Sequence, residues 1–89
     1  MTREEALELV RSDDYALKDL PAQFKRDREI VMAAVHAYGH VLNDADDSFK
    51  KDRDIVMAAV QSNGYALEYA DESLQKDPEI LKAAGKIKP

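Results

Sequence analysis

The stretch DREIVMAAV at 27–35 returns as DRDIVMAAV at 52–60, 25 residues later. The same shift forward reaches Asp77, which opens DPEILKAAG, and the same shift back reaches Thr2, which opens TREEALELV. The register also holds inside the units. Tyr15, His40 and Tyr65 align, as do Leu17, Leu42 and Leu67, and then Phe24, Phe49 and Leu74. Self-similarity at a fixed period is the mark of a stacked architecture, in which a unit too small to bury its own apolar face is covered by its neighbours. The 89 residues hold three units, 2–26, 27–51 and 52–76, and a partial capping unit at 77–89, within a single domain.

Each unit predicts two helices. The long one begins at Asp27, Asp52 or Asp77, whose carboxylates can accept the free amide hydrogens of a first turn. Thr2 takes that place in the first unit, and Glu5 three residues on completes a capping-box pattern. Pro78 stands just inside the last helix, where its missing N–H costs nothing. Gly39 and Gly64 are expected to end their helices in a left-handed conformation, and Asp14 replaces them in the first unit. The second helix is shorter: YALKDL, HVLNDA and YALEYA carry apolar residues three and four apart. Phe24, Phe49 or Leu74 then folds back onto the core.

IVMAAV is apolar at nearly every position, which predicts a helix wrapped by neighbours on all sides. A charge at Met32 or Met57 would on that reading enter the stack. At the ends Glu5 and Glu8 replace apolar residues of the inner units and Lys82 replaces the methionine, as capping units require. The fold class is all-α: a short array of stacked helical hairpins forming a compact bundle or solenoid of either hand.

Composition closes off several functions. Cysteine is absent, so there are neither disulfides nor thiolate metal sites, and a reducing cytoplasm is the expected location. The apolar runs are too short to span a bilayer, and no signal peptide is readable at the N-terminus. The net charge of −5 is opposite to the excess that nucleic-acid binders carry. There is no phosphate-cradling glycine loop, no nucleophile elbow and no H-E-x-x-H frame. No enzyme activity, cofactor or catalytic residue is expected.

With the units aligned, the pattern D-R-E-I-V-x-A-A-V-x-x-x-G-x-x-L-x-x-A, best kept in DRDIVMAAVQSNGYALEYADESLQKD at 52–77, resembles the repeats catalogued as domain of unknown function 4116. The segment 27–51 follows it less closely, since His40-Val41-Leu42-Asn43-Asp44 stands where the pattern has Y-A-L-E-Y. The resemblance implies tandem helical hairpins. It implies no activity and no binding residues.

His36 and His40 have metal-ligand spacing, but Gly39 lies between them and no further ligand is in frame, so no metal is expected. The acids at 43–47 lack the glycine and terminal glutamate of a calcium loop and read as a solvated helix end. Tyr15, Tyr38, Tyr65 and Tyr69 read as completing the core with wet hydroxyls rather than as a presented surface. The basic residues Lys25, Arg26 and Arg28 recur as Lys50, Lys51 and Arg53, so stacking would set them in one row along an edge, with the acids at Asp44, Asp46, Asp47, Asp71 and Glu72 forming another. That basic row is the candidate interaction site. The expected role is a non-catalytic protein–protein interaction or structural module. Its expected partner is another protein, with a second copy of the chain also considered, and neither nucleic acid nor membrane. The alternative is a small anion- or ligand-binding protein that uses the row.

Overall fold

The structure, a computed structural model, describes residues 1–85, so the last four positions of the partial unit lie outside the described residues. It is all-α, with no strand among the described residues. The long helices are α1 (Arg3–Ser12), α4 (Arg28–Ala37), α6 (Arg53–Ser62) and the shorter α8 (Pro78–Ala83). Between them run α2 (Ala16–Asp19) and α3 (Ala22–Lys25), then a 3-10 segment (Gly39–Asp44) and α5 (Asp47–Lys50), then a second 3-10 segment (Gly64–Tyr69) and α7 (Glu72–Gln75). The starts of α1, α4 and α6 repeat the 25-residue interval of the sequence.

The long helices pack in chain order, α1 on α4, α4 on α6, α6 on α8, and the short segments pack on one another beneath them. The result is a two-layered stack measuring 43 × 22 × 16 Å. Because the units are related by a shift along the stack, the long helices run parallel: their first turns meet through Arg3 and Asp27, and their last turns through the Gly39 amide and Ser62 Oγ at 3.1 Å.

The caps act as the sequence predicts. Asp27, Asp52 and Asp77 each accept from two first-turn amides, and Thr2 and Glu5 form a reciprocal capping box. Asp46 and Asp71 cap the short α5 and α7, each accepting one amide and the hydroxyl of the serine two residues on, so the acidic run at 43–47 holds a helix start.

The core runs the length of the stack. Ile30, Ile55 and Ile80 are fully buried, as are Leu17 and Leu42, and Leu67 is nearly so. Phe24 is buried, while Phe49 and Leu74 pack against the core from its edge. Glu5, Glu8 and Lys82 are exposed, in keeping with a capping role at the outer helices.

Three expectations require correction. First, each of the three units carries three helical segments rather than two: the turn with Phe24, Phe49 or Leu74 is a short helix of its own, and the second segment of units two and three is a 3-10 helix. The aligned segment of the first unit holds a short α-helix. Second, α4 and α6 are not wrapped on all sides. Ile30, Val31, Ala34 and Val35 are buried, but Met32 and Ala33 are half-buried on the outward face, and Met57 and Ala58 repeat them. Third, Gly39 and Gly64 are not left-handed; among the described residues only Gly85, after α8, has a positive φ, of 77°. A Cβ on Gly39 would overlap the Ala59 carbonyl oxygen and sit 2.9 Å from the Asn63 nitrogen, and a Cβ on Gly64 would overlap the Ala84 carbonyl oxygen. These glycines are required by the end of the next unit's long helix, which crowds against them.

Candidate interaction surface

The helices α1, α4 and α6 open with a Thr-Arg or Asp-Arg pair, and stacking sets the arginine of one unit beside the capping aspartate of the next, Asp77 of α8 being the last. Arg3 Nε lies 2.6 Å from Asp27 Oδ2, and its Nη2 reaches Glu29 at 2.9 Å. Arg28 Nε lies 2.8 Å from Asp52 Oδ2, with Asp54 at 3.5 Å. Arg53 Nε lies 3.1 Å from Asp77 Oδ2, with Glu79 at 3.0 Å. The capping carboxylate therefore works twice. Oδ1 holds the amides of its own helix, and the previous unit's guanidinium donates to Oδ2, with a second contact to Oδ1 of Asp27 and Asp52. The guanidinium, first, and the amides then hold Asp27, Asp52 and Asp77 below the ordinary aspartate range, and the same contacts push the arginines upward.

The other members of the candidate row lie at the ends of the short helices α3 and α5, just before the capping aspartates. Lys25 and Arg26 border a crevice with Asp44, Ala45 and Asp46 of the next unit. One repeat later Lys50 and Lys51 border a crevice with Tyr69, Ala70 and Asp71. The Lys50 carbonyl accepts the Asp71 amide at 2.9 Å, and Lys50 Nζ lies 3.4 Å from Asp47. Asp46 is lowered chiefly by the Ser48 hydroxyl and to a smaller degree by Arg26 and Lys50; Asp71 is lowered chiefly by Ser73, with Lys51 adding a little.

The six row residues thus fall into two seams, Arg28 and Arg53 in one, Lys25, Arg26, Lys50 and Lys51 in the other. The acids read as a separate row interleave with them. Arg3 belongs to the first seam although it lies outside the candidate row. Its alignment with Arg28 and Arg53 in the 25-residue register was the available signal.

A different surface is left on the outward face of the long helices. Between α1 and α4 a shallow groove has Met32, Ala33 and Ala37 as its floor and Arg11, Arg28, Glu29 and His36 at its rim. A smaller depression one repeat on takes His36, Ala58, Gln61 and Ser62. His36 lies in the last turn of α4 and His40 beyond the helix end, where its Nε2 is 3.0 Å from Asp14 Oδ2. The tyrosines divide: Tyr38 and Tyr69 pack against the core, while Tyr15 and Tyr65 are 64% and 70% exposed. No helix among the described residues is long and apolar enough to cross a membrane.

The family described as Domain of unknown function (DUF4116) matches the chain three times in overlapping registers, over residues 2–50, 27–75 and 52–89. Neither a curated protein nor a solved structure matches it.

Proposed function

We propose that this chain, which belongs to the DUF4116 family, is a non-catalytic repeat module that docks another protein on the outward face of its long helices. The observation that carries the reading is the half-buried Met32–Ala33 and Met57–Ala58 stripe. These are apolar positions that the stack leaves only partly covered, and Met adapts to irregular partners. The groove over Met32 gives the stripe relief, and Arg11 and His36 give it a polar rim. Catalysis is no part of the proposal, and neither nucleic acid nor membrane is the partner. A cysteine-free chain suits the reducing cytoplasm, where we place it.

The alternative, anion binding by the basic row, has less support. Arg28 and Arg53 each hold two carboxylates of the next unit, and Lys25, Arg26, Lys50 and Lys51 face acids across the second seam.

The test is affinity capture with the chain and with the double variant Met32→Glu, Met57→Glu, both checked for unchanged helical circular dichroism. A specific partner retained by the parent at moderate salt and lost by the variant is the expected result. A partner held equally by both would refute the assignment of this face. Retention of polyanions alone, abolished by salt, would favour the alternative.

A further inference from the structure

The groove over Met32 has a direction. On α4 it is lined at Arg28 and Glu29, then Met32 and Ala33, then His36 and Ala37, pairs that recur one turn apart on one face of the helix, and Arg11 of α1 stands across from the last pair. The ten residues of α4 span about 15 Å, nearly three turns. Ala33 and Ala37 keep the floor low, so another helix can approach at the short end of the usual packing distance of about 8–10 Å.

The two ends of the groove differ in charge. At the start of α4, Arg3 is held by Asp27 and Glu29 and Arg28 by Asp52 and Asp54, so two guanidiniums face four carboxylates. At the other end stand Arg11 and His36, in the last turns of α1 and α4, and neither side chain has an ion-pair or hydrogen-bond partner among the described residues. The acids near them are otherwise placed. Asp14 meets His40, Asp13 accepts the Tyr15 amide, and Glu8 lies one turn back along α1.

We propose that this groove takes an amphipathic helix of another protein, acidic in its first turn and basic in its last, lying antiparallel to α4. The inference rests on the docking face assigned above and names its occupant. The antiparallel direction sets the occupant's first-turn carboxylates beside Arg11 and His36, and its last-turn lysines beside the surplus carboxylates at the start of α4. It also brings the positive end of the occupant's dipole to the negative ends of α1 and α4. Apolar residues at i, i+3 or i+4, and i+7 would cover Met32, Ala33 and Ala37, as when other amphipathic helices lie in grooves.

The probe is the fluorescein-labelled peptide SEEALQQLAQLAQKK, titrated by anisotropy at about 50 mM salt, where surface charge is only partly screened. Its controls are SKKALQQLAQLAQEE, with the charged ends exchanged, and SEEAQQQQAQQAQKK, without leucine. The expected result is saturable binding with a gain of helical circular dichroism, since so short a helix is marginal alone. The probe should bind at least about threefold tighter than the exchanged peptide and about tenfold tighter than the leucine-free one. Arg11→Glu should weaken it about fivefold, and Arg11→Glu with His36→Glu should remove its advantage over the exchanged peptide. Absence of probe binding, equal binding of the exchanged peptide, or no response to Arg11→Glu would each overturn this occupant. Met32→Glu separates the two readings, with circular dichroism showing each variant folded. Binding lost in Met32→Glu yet indifferent to Arg11→Glu overturns the occupant and leaves the docking face standing, whereas binding indifferent to Met32→Glu overturns both.

Discussion

Gly39 is chosen by a residue twenty positions further on. Its backbone is of an ordinary kind, and what excludes a side chain is the Ala59 carbonyl at the end of the next long helix. Where a glycine has a backbone conformation that any residue adopts, Gly→Ala is ordinarily neutral or mildly favourable, because it restricts the unfolded chain. Here the overlapping atom belongs to a backbone, which cannot swing aside as a side chain would. Gly39→Ala and Gly64→Ala should each destabilise by about 1–3 kcal/mol, the cost of overpacking a close contact. Thermal unfolding of the two variants against the parent checks it. The three-unit register identified both glycines but not their role, since that role needs an atom of the following layer. Gly85, by contrast, does what sequence reasoning assigns to a helix-ending glycine.

At the scale of the element, the long helix has two unlike faces and a start that is held from outside. Ile55 is fully buried, so Ile55→Ala should cost about 2–5 kcal/mol. Met57 is half-buried and outward, and Met57→Lys should cost under about 1 kcal/mol, because a long amphipathic side chain can lay its stem on the surface and keep its charge wet. Urea unfolding of both variants measures the difference, and comparable losses would mean that α6 is enclosed on both faces. At the helix start, Asp52→Ala removes a cap and an ion-pair partner together and should cost about 1–2 kcal/mol, within the range of a lost N-cap. Asp52→Asn keeps an oxygen for the amides but turns a donor toward Arg28 2.8 Å away, and its loss should be smaller.

Much of this element-level structure was legible in the letters: the interval, the aspartate caps, the isoleucine core and the polar replacements at Glu5, Glu8 and Lys82. The 3-10 segments were not. A run such as HVLND meets the spacing rule of either coil, and the aligned run of the first unit forms a short α-helix instead. The pairing of Arg28 with Asp52 was also hidden. A periodic sequence shows which residues form rows, whereas the interleaving of two rows depends on the pitch between layers. The Met32 groove was hidden too, because it needed the orientation of α4.

For the whole molecule, the unit-to-unit carboxylates make stability depend on acid. Asp27, Asp52 and Asp77 bind their proton less readily when folded than the ordinary aspartate value of about 3.9. The unfolded chain therefore takes up protons first as the pH falls. Their contribution is whole above that value and is lost below about pH 4, as the pH passes through the lower folded values. Asp46, Asp71 and Glu5, lowered by their own caps, act in the same direction. The urea midpoint should be level between pH 6 and 8 and fall clearly by pH 3. A midpoint unchanged at pH 3 would show that these contacts add nothing.

Each capping aspartate serves its own helix and the unit before it at once. A layer that frays consequently takes away part of its neighbour's footing as well as its own. Loosening should spread along the column like a slipped stitch, so amide exchange in α4 and in α6 should slow and quicken together instead of at separate rates.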